Sequence, residues 1–146
     1  MYQLECANSE SDLRIIERTA AVLAEGHGRT MQEIADYIRM PAIAVQEVAT
    51  FYNMYNVRPV GKHKITVCTN LPCQLSGGER AGKRLQDILG IGYRDTTADG
   101  MFTLVEGECM GACGDAPVML VNNHRMCSFM SNDKIDALVD ELKEIK

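Results

Sequence analysis

The chain has 146 residues, six cysteines, no tryptophan and a net charge of −5. That length suits one domain or a small domain with an appendage, and it can bury a real core without covalent staples. Residues 1–60 carry five basic and eight acidic side chains and residues 61–146 carry ten and twelve, so neither half has the positive surface that nucleic-acid binding needs.

The N-terminus, Met-Tyr-Gln-Leu-Glu-Cys-Ala-Asn, is polar and acidic and has no apolar signal core. No apolar run approaches the roughly 18 residues of a membrane span. These features predict a reducing, cytoplasmic setting, in which clustered cysteines read as metal ligands and not as disulfides.

Residues 10–25 read as a helix, with Leu13, Ile16, Ala20 and Leu23 at helical spacing, ended by Gly26-His27-Gly28. Thr30 and Glu33 form a capping box that opens a second helix carrying Ile34, Tyr37 and Ile38. Pro41 suits the first turn of a third helix. Residues 56–61 look like a linker, and the domain boundary is placed between 1–58 and 59–146.

The period then changes. Residues 64–68 alternate as a strand, and residues 78–89 form an amphipathic helix with Ala81, Leu85, Ile88 and Leu89 inward. Ala98-Asp99-Gly100 is a turn, followed by a strand through Met101–Val105. Residues 118–121 and 124–130 read as a hairpin about a two-residue Asn122-Asn123 turn. Ser131 caps a last helix, with Asp133 near its start and Lys143 near its end. The expected fold is a helical lead followed by an α/β or α+β domain of order β-α-β-β-β-α, like a thioredoxin core.

Four cysteines carry the chemistry. Cys68 and Cys73 form C-x4-C, and Cys109 and Cys113 form C-x3-C about 35 residues later. Both pairs lie in turn-like segments after strands. Four thiolates suit a 2Fe–2S cluster, and they also suit a closed tetrahedral zinc site, although zinc pairs are usually C-x2-C. An anionic cluster needs fixed donors nearby. Backbone amides in glycine turns supply them, which singles out Gly111 and Gly114 around Cys113 and Gly77 and Gly78 after Cys73. Pro72 stiffens the first loop. Cys6 reads as a free thiol and Cys127 as small core filler. His27, His63 and His124 lack ligand spacing and read as surface residues. Glu106, Glu108 and Asp115 flank the second pair and read as solvated carboxylates, close enough to tune a cluster.

Three strings have a wider likeness: Val-Ala-Thr-Phe-Tyr-Asn-Met-Tyr at 48–55, Val-Cys-Thr-Asn-Leu-Pro-Cys-Gln-Leu-Ser-Gly-Gly at 67–78, and the run from Glu108 to Asn122. They resemble the small thioredoxin-like 2Fe–2S subunit of the NADH-dehydrogenase module of respiratory complex I, the bacterial NADH-quinone oxidoreductase. The likeness runs from about residue 30 to the C-terminus, while residues 1–29 are shorter than that family's helical lead. The resemblance implies one 2Fe–2S cluster on Cys68, Cys73, Cys109 and Cys113. It also implies a flavoprotein partner that holds FMN and binds NADH, further complex I subunits, and a peripheral place on the inner membrane. Related subunits of NAD-linked hydrogenases and formate dehydrogenases share the cysteine pattern. The chain has no dinucleotide fingerprint, phosphate loop or flavin motif, so hydride chemistry belongs to a partner. Two other classes are open to test. Residues 30–48 scan like a helix-turn-helix that could make a redox-sensing regulator, but residues 41–55 carry no Lys or Arg, and a zinc-stapled interaction module would be colourless.

Overall fold

A computed structural model describes residues 31–52 and 54–145. The helix expected over 10–25, the capping side chain of Thr30, Cys6 and His27 lie outside those residues. The chain divides into two compact units between Pro59 and Val60.

In the first unit, α1 spans Met31–Ile38 and α2 spans Ala42–Phe51. Gln32 donates to Asp36 one turn on at 2.8 Å. Arg39 leaves the helix with φ 58°, and Pro41 caps α2 with φ −61° and ψ 141°. Pro41 therefore sits one position before the expected first turn. Its carbonyl accepts from the Ala44 amide at 3.0 Å, and a cap position asks for no amide of its own. Ile34, Ala35 and Val45 form a small core, with Met31 and Ala42 packed on it.

The second unit holds β1 (His63–Cys68), α3 (Leu71–Leu75), α4 (Gly78–Leu89), β2 (Phe102–Gly107), β3 (Met119–Val121), β4 (Arg125–Cys127) and α5 (Asn132–Glu144). The strands form one mixed sheet in the order β2-β1-β3-β4. β1 runs parallel to β2 and antiparallel to β3, and β4 returns antiparallel beside β3. A parallel pair needs a crossover, and α4 lies in it. Ile65, Val67, Leu85, Leu104, Met119 and Ile135 are fully buried between sheet and helices. This is the thioredoxin-like arrangement expected from the sequence, with the one-turn helix α3 added.

β1 departs from the alternating pattern, because all six of its residues are buried. It is an interior strand with neighbours on both edges, so its polar residues are enclosed as well as its apolar ones. His63 is consequently a buried residue, 4% exposed, and not a surface one. Its ring stands 5.7 Å from that of Phe102. Lys64 is buried beside it, and burial pulls its amine below the usual lysine range. His124, by contrast, is exposed.

The β3–β4 pairing closes at Val121 and Arg125, so three residues and not two lie between the partners. Asn122 and Asn123 take the positive-φ positions, at 50° and 59°. In α5 the Ser131 hydroxyl accepts from the Lys134 amide at 3.4 Å, the cap expected from the sequence. Arg84 of α4 grips Asp136 of α5 at 2.9 and 2.6 Å, and Arg125 grips Glu141 at 2.5 and 2.9 Å. A Cβ at Gly82 would collide with the Tyr93 hydroxyl, so that helical glycine makes room for the loop after α4.

Candidate metal centre

Because β1 and β2 are parallel, the loops that follow them leave from the same end of the sheet. Cys68 is the last residue of β1 and stands opposite Gly107, the last residue of β2. The strands are stitched there. The amide and the hydroxyl of Thr69 both reach the Gly107 carbonyl at 2.9 Å, and the Cys68 amide donates to the Val118 carbonyl at 3.1 Å. The two cysteine loops are thus juxtaposed by topology, although about 40 residues of chain separate Cys68 from Cys109.

Cys73 lies in α3 and not in a simple turn. Asn70 caps that helix, and its carbonyl accepts from the Gln74 amide at 3.0 Å. Pro72 falls in its first turn, where a missing amide costs nothing. Gly77 then caps α4 in the left-handed region, with φ 95°. Gly78 opens that helix hard against the first loop. A Cβ there would stand 2.8 Å from the Cys73 carbonyl oxygen and 3.2 Å from that of Cys68.

On the second loop the Gly111 amide donates to the Cys109 sulfur at 3.4 Å, and Gly111 has φ 72°. That left-handed conformation favours glycine over residues that carry a Cβ. Gly114 differs: a Cβ there would meet nothing within 4 Å, and its φ is not among the positive ones. Cys113 begins a short 3-10 turn through Asp115. Sequence reasoning missed Gly107. A Cβ on it would press to 2.6 Å from Thr66 Cγ2 and 3.2 Å from Met110 Cε. Its only signal was its place just before the Glu108-Cys109 turn.

All four thiols are free. Cys68 and Cys73 are buried with Val118, and Met110, Ala112 and Ala116 of the second loop pack on that cluster. Cys109 and Cys113 are exposed. The Cys68 thiol crosses between the loops to donate to the Glu108 carbonyl at 3.1 Å. Burial pushes the Cys73 thiol up from its ordinary range. A hydrogen bond with Cys68 adds to this, one with the Val118 backbone opposes it, and repulsion from Cys68 and Cys113 adds further. Cys113 is pushed up by its hydrogen bond with Cys109, then by desolvation, then by repulsion from Cys109 and Cys68. Each of these sulfurs therefore senses one on the opposite loop.

The sulfurs come as two couples, Cys68 with Cys73 and Cys109 with Cys113. Among the described residues, no three His, Cys, Asp or Glu side chains are drawn around one ion. Of the flanking carboxylates, Glu106 pairs with Arg94 at 2.8 Å, and Asp115 accepts from the Ser128 hydroxyl at 3.5 Å. Cys127 lies in the sheet core, where burial raises its thiol.

The family model for thioredoxin-like [2Fe-2S] ferredoxins matches residues 13–143. The chain belongs to this family. The match begins well before residue 30, so the likeness extends into the lead that the cysteine strings did not reach. A Rickettsia bellii protein named as a component of NADH-quinone oxidoreductase is 40% identical over 113 residues, 77% of this chain and 67% of that protein. Its counterpart in Rickettsia prowazekii is 39% identical over 121 residues, 82% of this chain and 68% of that one. Mitochondrial NADH dehydrogenase [ubiquinone] flavoprotein 2 of Dictyostelium discoideum is 38% identical over 118 residues, 81% of this chain and 47% of that protein. The chain thus spans about two thirds of the Rickettsia relatives and about half of the Dictyostelium one. A crystal structure of an NAD+-reducing [NiFe]-hydrogenase superposes with a TM-score of 0.75 at 18% identity, covering 94% of this chain and 25% of that one. That likeness is one of fold. The resemblance drawn from the cysteine strings is borne out by family and relatives alike.

Proposed function

We propose that this chain is the one-electron relay subunit of an NADH:quinone oxidoreductase, with its 2Fe–2S cluster held by Cys68, Cys73, Cys109 and Cys113. The observation that carries the reading is the convergence of the two cysteine pairs at one end of the β1/β2 sheet, in a chain of a 2Fe–2S family. The donor set fits the group. Four free thiols on two converging loops suit two tetrahedral irons, and the family is one of 2Fe–2S ferredoxins.

Bound there, the cluster supplies a one-electron couple. The chain does the rest. Val118, Met110 and Ala112 exclude water from the Cys68–Cys73 side. The Gly111 amide points at a ligand sulfur, where it favours negative charge. Cys109 and Cys113 leave one edge open to a partner. Binding must expel the thiol protons, and Cys73 and Cys113 hold theirs more tightly than an ordinary cysteine.

The chain has no hydride acceptor of its own, so electrons come from the FMN of an NADH-binding flavoprotein subunit. No helix of the described residues is long and apolar enough to cross a membrane, and the kinship with NADH-quinone oxidoreductase subunits supports a peripheral place in that complex. The relatives of about 40% identity favour the quinone-linked complex over the hydrogenase, whose likeness is of fold alone. Electron paramagnetic resonance tests the reading. NADH alone should leave the cluster of the purified chain oxidised, and NADH with the flavoprotein subunit should give the reduced signal. A reduced signal without the partner overturns the reading.

A further inference from the structure

Arg80 lies outside both cysteine loops, in the first turn of α4, yet its side chain reaches the ends of both. Its Nη1 donates to Asn132 Oδ1, and its Nη2 donates to the Met130 carbonyl at 3.0 Å. Its other side lies over Gly77. A Cβ at Gly77 would stand 3.4 Å from Arg80 Nε, 3.5 Å from Nη2 and 3.8 Å from Pro117 Cγ. Gly77 closes the first cysteine loop, and Pro117 closes the second.

Residues 128–132, which Arg80 grips, are themselves tied to the second loop. The Phe129 amide donates to the Asp115 carbonyl at 2.7 Å, and the Met130 amide donates to the Pro117 carbonyl at 3.1 Å. One guanidinium therefore fills the space beside Gly77, at the end of the first loop, and through Met130 holds the end of the second. Arg84, one turn further along α4, supplies the contrast. It grips Asp136 and ties α4 to α5 without reaching either loop.

We propose that Arg80 is a positioning residue for the four-cysteine centre, its fork fixing the spacing of the two loops. The proposal builds on the ligand set given under Proposed function. The planar guanidinium can serve Asn132 and Met130 at once beside Gly77, and a lysine ammonium cannot. A fixed cation at this place also favours the more negative, reduced form of the centre.

The test compares the full chain, loaded with iron and sulfide, with Arg80→Ala, Arg80→Lys and Arg84→Ala. In Arg80→Ala the visible absorbance should decay about tenfold faster under a chelator, the loss expected for one charge-assisted hydrogen bond. Arg84→Ala should decay at the parent rate. Arg80→Lys should keep the parent midpoint potential while still losing iron faster, and Arg80→Ala should have a lowered potential. Hydrogen exchange of the metal-free chain gives a second readout: the Phe129 and Met130 amides should lose protection in Arg80→Ala and keep it in Arg84→Ala. Equal decay, potential and protection in Arg80→Ala and the parent overturn the proposal. So does equal damage from Arg80→Ala and Arg84→Ala, which would make Arg80 only a tie between helices. A parent chain that takes up no iron and sulfide overturns the ligand set instead, and hydrogen exchange then still decides whether Arg80 braces the loops.

Discussion

The Cys68 thiol donates to the Glu108 carbonyl at 3.1 Å, so the first cysteine of one pair rests on the residue just before the first cysteine of the other. The contact follows from the parallel pairing of β1 with β2, which sets Cys68 opposite Gly107. Any change that shifts the β1/β2 register by one residue separates the pairs. The centre is therefore a property of the sheet as much as of the loops.

Replacing any one of Cys68, Cys73, Cys109 or Cys113 with alanine should abolish the brown chromophore, because three thiolates cannot complete two tetrahedral irons. The parent chain should carry about two irons and two acid-labile sulfides per monomer. Cys127→Ala should keep the spectrum, since that thiol packs in the sheet core. Metal and sulfide analysis with visible absorption checks this. Stoichiometric zinc without sulfide in the parent would count against the cluster, and an unchanged spectrum in Cys109→Ala against the ligand set.

The two glycines around Cys113 should respond differently. Gly111 has φ 72°, and its amide points at the Cys109 sulfur. A side chain in that region costs roughly 1–2 kcal/mol, and a β-branched one more. Gly111→Val should destabilise the metal-free chain by at least that much and speed cluster loss. Gly114 faces open space, and Gly114→Ala should stay within about 0.5 kcal/mol of the parent. Denaturant unfolding of the metal-free chains measures both, and equal effects at the two positions would contradict the backbone assignment.

Periodicity and composition were enough to read α4, β2, α5 and the order of the elements along the chain, because each element sets its apolar residues at its own period, as Ala81 and Leu85 do in α4. The cysteine pairs were legible for a different reason: thiols at short spacing beside glycines have few other uses. What the sequence hid was long-range. Burial of His63 depends on β1 lying inside the sheet, and alternation within Lys64–Cys68 cannot tell an interior strand from an edge one. Gly78 looked like a donor of amides, and its tighter constraint is the Cys73 carbonyl 2.8 Å from where a Cβ would go. Nothing in the sequence singles out Arg80, since its partners are about 50 residues away.

Acid should weaken the join between α4 and α5. The hydrogen bond from Arg84 holds the Asp136 carboxyl below the usual carboxylate range, against a smaller opposing effect of burial. A carboxyl depressed in the folded chain contributes stability above its unfolded value, about 3.9, and that contribution fades as pH falls through the folded value. The stability gap between the parent and Asp136→Asn should therefore hold steady from neutral pH down to about pH 5 and close below about pH 4. Both side chains are 39% exposed, so high salt should narrow the gap as well. Denaturant unfolding across that range checks it, and a gap that widens in acid would show that the pair is not the source.

His63 should be a place where an apolar residue improves the fold. Its ring is 4% exposed and lies against Phe102. Neither ring nitrogen has a hydrogen-bond partner among the described residues. An enclosed polar group without a partner costs roughly 1–3 kcal/mol relative to its hydrated state. Leucine has a comparable reach and no polar atom to desolvate. His63→Leu should therefore raise the stability of the metal-free chain by about 1 kcal/mol, part of the gain being lost because leucine cannot repeat the ring contact with Phe102. His63→Ala should lower stability instead, because a cavity beside Phe102 outweighs the relief of two unpartnered nitrogens. The visible spectrum should be the same in both variants, since His63 and Cys68 occupy opposite ends of the six-residue strand β1. Denaturant unfolding of the two variants measures the signs. A loss of stability in His63→Leu as large as in His63→Ala would mean that the imidazole has a partner after all, and the reading of β1 as a strand enclosing an unpaired histidine would fall with it.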